Sequence, residues 1–532
     1  MTNRYGMIAT LALTSLTATA QDAYDAGNLL QEDLNGTARY VGMGGALDAL
    51  GADLSTISTN PAGMGLFRHS EASLSFGLVS QQNAVKFGGV GATNMSFDQV
   101  GFVYSTQTSN RNFVNVAFNF HKNRNFDQIL SAANNFAPRT REVDQATGNL
   151  VDLRGSGLSL PTNMKGLAGL LDKSNEDANG MNYYESEVDY KMSNLLLFDI
   201  GYVPLTAAGF GYNRGTSGYI GEYDFNVSGN SKDRVYWGVT VGIHDVRYEA
   251  FTGYVEALES GQKLPNGTAV SQLRLDDERS IKGTGFDIKA GIIIRPIDES
   301  PFRVGLSIAS PTWYSLTTNN YTTLAIDQED HNPGESYDFK FYTPWKFGVS
   351  LGHTIGKSFA LGAGYEFSDF SSADMRYITY SGYDGSSSRS DKDMNTEIGA
   401  VLKGVHTLKA GVELKPDPAV AVRLGYNYVS AIYASDGWRN QTIYSPGVCY
   451  ASTTDYTNWK GTHRITAGIG TRINKLKLDL AYQYSMTKGD FYPFTDYQNY
   501  EEAGGFYMEN KCSATPVDFK RHQVLLTLGY IF

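Results

Sequence analysis

Cysteine is nearly absent from this chain, which has 532 residues and only two cysteines, Cys449 and Cys512. The eight histidines are scattered and lack both the H-x-x-x-H and the Cys/His spacing of a metal site. No Ser/His/Asp constellation stands out. We therefore expect no metal, no cofactor and no enzymatic activity.

Positive charge is also scarce, because 44 Lys and Arg face 55 Asp and Glu and give a net charge of -11. A phosphate-binding surface needs clustered cations, so a nucleic-acid partner is not expected. Beyond the N-terminal segment no run of ~18 uncharged apolar residues could form a membrane-spanning helix. The mean hydropathy of -0.30 agrees. Hydropathy does not detect a transmembrane barrel, however, since only alternate residues face lipid.

Residues 1–20 have the pattern of a secretory signal peptide. Arg4 supplies the positive start, residues 7–18 the apolar stretch, and Ala18-Thr19-Ala20 the cleavage site. The mature chain is then expected to be exported and to begin at Gln21. It shows no linker, no Pro-rich spacer and no break in composition.

Both cysteines lie outside the stretches that resemble strands. An exported protein folds in an oxidising compartment. We therefore predict a disulfide between Cys449 and Cys512 that joins two loops.

Alternation with a period of two is the dominant pattern along the chain and indicates strands. In the last stretch, residues 524, 526, 528, 530 and 532 are all apolar, and the chain ends on an aromatic residue. The opposite faces are mostly Gly, Ser, Ala and Asn with single charges, which is typical of a crowded polar lumen. From Ala72 onward we count roughly fourteen such strands. Other clear examples are residues 235–243, 302–308, 345–351, 420–428 and 476–484.

The connections between these strands alternate in length. Short links lie near residues 108–111, 229–233, 296–301, 355–357, 415–418 and 474–475; long ones near 81–96, 122–217, 256–276, 318–335, 377–392, 435–461 and 488–516. Short periplasmic turns alternating with long extracellular loops are typical of outer-membrane barrels. We therefore predict an all-β transmembrane protein, with residues 70–532 forming a barrel of about fourteen antiparallel strands in the outer membrane of a Gram-negative bacterium.

Residues 21–69 precede the first strand and do not alternate. The stretch Thr37–Gly51 is rich in small residues and predicts a short helix, and Asn60-Pro61-Ala62-Gly63 predicts turns. No strand precedes these glycines and no Lys-Ser/Thr follows them, which disfavours a nucleotide loop. A segment of such small residues suits packing inside the barrel, so we predict a helical N-terminal hatch.

These motifs resemble the FadL/TodX family of outer-membrane transporters. Gly42-Met43-Gly44-Gly45-Ala46 and Asn60-Pro61-Ala62-Gly63 carry the resemblance. It implies a fourteen-stranded barrel plugged by a hatch with an Asn-Pro-Ala motif. It also implies passive transport of long-chain fatty acids or other hydrophobic molecules, with lateral exit into outer-membrane lipid. The hatch residues implied are Gly44, Gly45, Asn60, Pro61, Ala62 and Gly63, and the ligand-lining candidates in the hatch are Met43 and Leu47.

The longest loop, residues 122–217, is a departure from this pattern. Residues 127–133 and 164–171 are predicted to be helical. Leu167, Leu170 and Leu171 are further ligand-lining candidates that could form an apolar groove outside the barrel, or simply pack the loop onto the barrel rim.

A second function also fits the sequence. The barrel could anchor large loops as a non-transporting interaction protein, or serve as an accessory subunit of a complex with other outer-membrane proteins. A lumen continuous from the loops to a gap in the wall favours transport, whereas a sealed lumen with a flat apolar loop surface favours interaction.

Overall fold

The computed structural model describes residues 22–136, 140–143, 150–154, 207–258, 260–261, 269, 271–326, 329–331, 334–382, 385–439, 455–494, 497–500, 507–510 and 513–532. The predicted signal peptide, the predicted disulfide between Cys449 and Cys512, and the candidates Leu167, Leu170 and Leu171 lie outside these ranges.

The helices are short and concentrate at the N-terminus. They are α1 Ala23–Leu30, α2 Ala38–Gly42, α3 Thr56–Thr59, a 3-10 helix Pro61–Leu66, a second 3-10 helix Phe370–Ser372 and α4 Lys392–Val401. None of the helices in the described ranges is long and apolar enough to cross a membrane.

Strands make up most of the remaining described chain. They are β1 Glu71–Gln81, β2 Thr93–Ser109, β3 Asn112–Asn125, β4 Gln128–Asn135, β5 Thr140–Val143, β6 Leu150–Arg154, β7 Ala207–Ser231, β8 Val235–Leu258, β9 Gln272–Ile294, β10 Arg303–Ala309, β11 Trp313–Ile326, β12 Glu329–His331, β13 Gly334–Tyr342, β14 Lys346–Ile355, β15 Phe359–Asp369, β16 Asp374–Gly382, β17 Gly385–Ser390, β18 Gly404–Asp417, β19 Val420–Val429, β20 Tyr456–Ile473, β21 Leu476–Tyr492, β22 Tyr497–Tyr500, β23 Tyr507–Asn510 and β24 Thr515–Ile531.

Most of these strands form a closed antiparallel barrel of fourteen transmembrane strands, as predicted. The short strands β5, β6, β22 and β23 form a separate sheet, in which β6 and β23 are parallel. Four of the fourteen consist of two consecutive segments, namely β3 with β4, β10 with β11, β13 with β14, and β15 with β16. The last strand, β24, pairs antiparallel with β1, so that Glu71 lies opposite Ile531. Because the first strand pairs with the last, the barrel has no terminal edge strand exposed to lipid, as a membrane requires.

The outer face carries the apolar residues of the alternation, and the inner face carries the small and polar ones. On β8, for example, the side chains of Trp237, Val239, Val241 and Ile243 are exposed outside the barrel. Exposure of this many large apolar side chains requires a lipid environment around the barrel. The chain is therefore a transmembrane β-barrel of the outer-membrane type.

The outward-facing residues that follow on β8 are polar, with Arg247 exposed beside Asp245. This change marks the outer boundary of the apolar band. Because β7, β8 and β9 have 25, 24 and 23 residues, they continue well beyond that boundary. The barrel wall therefore projects from the membrane on the side of the long loops.

The final strand provides a test of this inside-outside assignment. Leu528 is 37% exposed on the lipid side, whereas Thr527 is buried and accepts a hydrogen bond from the Ala38 N–H at 2.7 Å. We expect Leu528→Arg to impair assembly, because a lipid-facing Arg costs about 2–4 kcal/mol at the bilayer midplane and less near the interface. Thr527→Arg should assemble better. Heat-modifiability on gels measures the folded fraction, and equal behaviour of the two variants would contradict the assignment.

Two predictions about local structure were wrong. Residues 127–133 were predicted to be helical but belong almost entirely to β4, which pairs with β7 from Gln128 to Asn135. The pairing supplies every second residue with a partner that lies more than 70 positions away, and this overrides local propensity. The predicted helix Thr37–Gly51 is helical only over Ala38–Gly42, because Gly44 and Gly45 adopt φ of +64° and +80° and continue the segment as turns.

Candidate functional site: hatch, lumen and the gap between β2 and β3

Residues 22–67 form the hatch inside the barrel. Asn60 caps the 3-10 helix, since its side-chain oxygen accepts a hydrogen bond from the Ala62 N–H at 3.2 Å and Pro61 occupies the first position of the helix. Proline suits that position because its ring fixes φ and its missing N–H needs no partner there. Ala62 and Gly63 follow in the same buried helix. The hatch motif thus forms a rigid bend against the wall.

Wall glycines provide the space for this hatch. A Cβ added at Gly238 would collide with the Pro61 carbonyl, and one added at Gly411 would collide with the Met43 carbonyl. A Cβ at Gly425 would likewise meet the backbone nitrogen of Gly44. The glycine-rich lumen face of the strands is therefore a docking surface on which two backbones approach closely.

Polar side chains of the lumen bind the hatch backbone. Asn115 donates to the Met64 carbonyl at 2.7 Å, Thr240 donates to the Ile57 carbonyl at 2.9 Å, and Thr466 donates to the Gly42 carbonyl at 3.2 Å. Buried backbone groups need such partners when regular secondary structure does not supply them. The polar lumen face therefore serves hatch docking as well as contact with water.

The hatch candidates Met43 and Leu47 are completely buried. They pack with Leu34, Tyr40 and Leu50 in one apolar cluster of the hatch. Neither residue lines the lumen cavities described below. Their role as ligand-lining residues stays a prediction.

The N-terminal arm, which we define as residues 22–35, contains four acidic residues and no basic one. Each acid is ion-paired with a cation of the barrel: Asp22 with Arg439 at 2.9 Å, Asp25 with Arg279 at 2.7 Å, Glu32 with Lys346, and Asp33 with Arg521 at 2.9 Å. Four ion pairs thus join the arm to the barrel.

The arginine cluster around Asp33 is the densest of these contacts. We define it as Arg124, Arg464 and Arg521, whose guanidiniums lie 3.3, 3.8 and 2.9 Å from Asp33 Oδ1. The Nε atoms of all three arginines are buried without a hydrogen-bond partner. Burial alone would raise the pKa of Asp33, but the three cations outweigh it and hold that pKa well below its ordinary value. Three positive charges thus converge on one carboxylate.

The barrel wall has a gap beside this cluster. The ladder between β2 and β3 ends at Gln99 opposite His121, so residues 93–98 of β2 and 122–125 of β3 are not paired with each other. The arm lies along the freed edge of β3. The Asp33 N–H donates to the Asn123 carbonyl at 2.8 Å. The Asn35 side chain bridges the gap, donating to Asp98 Oδ1 at 3.0 Å and to the Lys122 carbonyl at 3.1 Å.

Above this level, on the side of the long loops, the lumen contains an apolar cluster beside the ion pairs of Asp22 and Asp25. Helix α1 fills this upper chamber with Ala23, Tyr24, Ala26, Leu29 and Leu30, and the Tyr24 ring stacks on Tyr433 with the centroids 4.9 Å apart. The upper chamber's walls include Tyr248, Ile281, Tyr314, Leu316, Phe339, Phe341, Met375, Ile398, Val401, Val405 and Ile432.

Three cavities in the described part of the chain border the arm. The first, of about 110 Å³, is lined by residues 30–33, by the arginine cluster, and by the apolar side chains Phe367, Phe370, Val405, Val429, Ile432, Trp459 and Phe519. The second, of about 130 Å³, lies on the other side of the arm, towards β7–β9. The third, of about 30 Å³, lies beside Tyr24, Asp25 and Asn28.

The second cavity touches a buried histidine–carboxylate cluster, which we define as His121, Glu222, Asp224, His244, Asp287 and Lys289. Its members come from β3, β7, β8 and β9. Local spacing did not reveal this cluster, because the distances along the chain reflect strand length and not proximity. The arginine cluster escaped notice for the same reason.

No protein-family model matches the chain, and no curated protein matches it. Among solved structures, it is similar to a FadL homologue of Pseudomonas aeruginosa, with 12% identity, a TM-score of 0.49, and 94% of this chain and 99% of that chain covered. It is also similar to the toluene transporter TbuX of Ralstonia pickettii, with 13% identity, a TM-score of 0.44, and 94% of this chain and 99% of that chain covered. The similarity to the toluene transporter TodX of Pseudomonas putida has 10% identity and a TM-score of 0.46, and it covers 94% of this chain and 100% of that chain. These proteins belong to the group that the N-terminal motifs resemble. The ligands in their names are those of the similar proteins.

Proposed function

We propose that this protein is a passive outer-membrane pathway for hydrophobic small molecules such as long-chain fatty acids, which leave the barrel laterally between β2 and β3. The observation that carries the proposal is the interrupted ladder, which the N-terminal arm covers from inside. A gap lined by peptide edges is costly in lipid unless something covers it. Asp33 and Asn35 supply that cover through the hydrogen bonds described above.

The arm is a suitable gate because it fills space that an apolar ligand can take. The apolar side chains of α1 occupy the upper chamber, so an acyl chain entering from the loops would replace one apolar surface by another. Such an exchange costs little free energy per unit area. Only the ion pairs of the arm must then be exchanged for new partners.

The arginine cluster offers a partner for the ligand's charged end. A fatty acid ends in a carboxylate, as the Asp33 side chain does. Arg binds carboxylates with parallel N–H donors. The adjoining apolar side chains of the first cavity can receive the start of the acyl chain. Displacement of Asp33 would free the segment that covers the gap.

Locking the arm across the gap tests this proposal. We expect Asn35→Cys with Asp98→Cys, whose side chains now share a hydrogen bond of 3.0 Å, to form a disulfide in a variant without the native cysteines. Uptake of a radiolabelled long-chain fatty acid by cells should fall to background and recover with a reductant. The Asn35→Cys single variant is the control, because it cannot form the lock.

The uptake pattern also separates the two functions. Full uptake through the locked protein would rule out arm displacement as the gate. If neither the native protein nor a variant lacking residues 22–35 raises uptake above empty cells, the interaction or accessory-subunit function is favoured instead.

A further inference from the structure

The histidine–carboxylate cluster is built by strand register. His121 of β3, Glu222 of β7 and His244 of β8 are direct neighbours in one row across the sheet. The next row on the same face places Asp224 and Asp287 on either side of Gly242, where a Cβ would collide with Asp287. Because Gly242 has no side chain, the polar side chains of the two rows can approach each other closely.

The carboxylates of this cluster outnumber its permanent cations. Glu222, Asp224 and Asp287 are all 3% exposed or less. Among the described residues, the only permanent cation that they contact is Lys289, which contacts Glu222 and lies 3.4 Å from Asp224 and 3.1 Å from Asp287. Three carboxylates against one ammonium leave two negative charges, and buried uncompensated charge is strongly unfavourable.

Polar atoms within the cluster also lack hydrogen-bond partners. His121 Nδ1 and Asp224 Oδ2 are 3.5 Å apart, both are buried, and neither makes a hydrogen bond. His121, Glu222 and Asp224 each offer one donor atom, and these atoms all lie within 4.8 Å of one another. By contrast, His244 already contacts Asp287 at 3.0 Å and Tyr314 at 3.5 Å.

We propose that His121, Glu222 and Asp224 bind one divalent transition-metal ion of the zinc type inside the barrel. An imidazole nitrogen and carboxylate oxygens are ordinary ligands for such an ion. Its two charges would balance the two that Lys289 leaves, with both histidines neutral. The spacing of histidines along the sequence gave the opposite expectation, because it considers only neighbours along the chain.

The position of the site gives the ion a structural role. It would join β3 to β7 directly below residues 122–125, where β3 has separated from β2. The carbonyl of Asn123 in this stretch accepts a hydrogen bond from the Asp33 N–H of the arm, and the Asn123 side chain donates one to Glu222 at 3.1 Å. A bound ion would therefore fix the edge of β3 on which the arm docks.

The test measures metal binding itself and does not depend on transport. The full chain, with Cys449→Ser and Cys512→Ser to remove thiol ligands, is purified in detergent, stripped with a chelator and dialysed against Zn²⁺ alone. Elemental analysis should find one Zn²⁺ per chain. Co²⁺ in place of Zn²⁺ should give visible absorption bands of nitrogen and oxygen ligation without a thiolate band.

Matched variants distinguish this site from adventitious binding. Asp224→Asn and Glu222→Gln keep the side-chain shape and should weaken Zn²⁺ binding by roughly 100-fold. Lys289→Met removes the competing cation and should strengthen it. His463→Ala, at an exposed histidine on the outer face, should have no effect.

The proposal is overturned if the folded native protein holds no stoichiometric Zn²⁺ or Co²⁺. It is equally overturned if Asp224→Asn and Lys289→Met bind as the native protein does. In either case the cluster balances its charge without a metal ion. Heat-modifiability on gels verifies that each variant is folded before its metal content is compared.

Discussion

Asp33→Arg is expected to release the N-terminal arm from the wall while the barrel stays folded. The substitution places a fourth positive charge among three arginines and removes the carboxylate they share. Breaking a buried ion pair costs about 3–5 kcal/mol, which corresponds to roughly a hundredfold or greater rise in the population of the undocked arm. Single-channel recordings should then show openings that are rare in the native protein, and amide hydrogen exchange of residues 22–36 should accelerate.

A charge swap provides the control for this result. Asp33→Arg combined with Arg521→Glu restores one opposite pair at the same place and should recover part of the docking. Asp298→Arg, which changes an acid that is 68% exposed in a turn, should leave conductance and exchange unchanged. If Asp33→Arg leaves both measurements at native levels, the arm is not held by this cluster.

The same contact predicts a dependence on pH. The pKa of Asp33 is lowered by docking, because the three cations outweigh the effect of burial. A carboxylate with a lowered pKa stabilises the docked state above its ordinary pKa of 3.8 and loses this contribution as the pH falls further. Exchange of the arm should therefore rise in acid below that value in the native protein. In Asp33→Asn this rise should be smaller.

Adding side chains to the wall is expected to have the second large effect, in this case on the rest of the hatch. Gly238→Ala and Gly411→Ala each place a methyl group against a hatch carbonyl, those of Pro61 and Met43. Because backbone cannot move aside as a flexible side chain can, each clash should cost about 1–3 kcal/mol of docking. The double variant should show new conductance and faster exchange over residues 37–66, with the barrel still heat-modifiable.

Gly211→Ala is the matched control, since a Cβ at this wall glycine meets nothing within 4 Å. It should behave as the native protein does. New conductance in the control as well, or native conductance in the double variant, would mean that the wall glycines are not needed for hatch docking.

Part of this molecule follows from the sequence because its cause is local. A strand in a barrel wall has lipid on one side and the lumen on the other, so alternation alone separated Leu528 from Thr527. The lengths of the connections distinguished the periplasmic end of the barrel from the extracellular end. The lack of alternation before Glu71 distinguished the hatch from the barrel wall. Asn60 and Pro61 act within the segment that contains them, so their bend was also predictable.

The tertiary structure alone decided which lumen side chains meet. Asp33 reaches Arg521 across almost the whole chain, and His121 reaches Glu222 across a loop of about seventy residues. Register and barrel closure determine these meetings, and a shift of one residue in any strand would turn the side chain outward. The gap between β2 and β3 was not predicted either, although the alternation breaks beside it. Asp98 and Gln99 of β2 are consecutive residues and both are buried, and the pairing of β3 with β7 shifts register between Lys122 and Arg124. The sequence indicates whether a strand residue faces the lipid or the lumen. Which lumen residues lie at the same height and contact one another depends on how all fourteen strands pair.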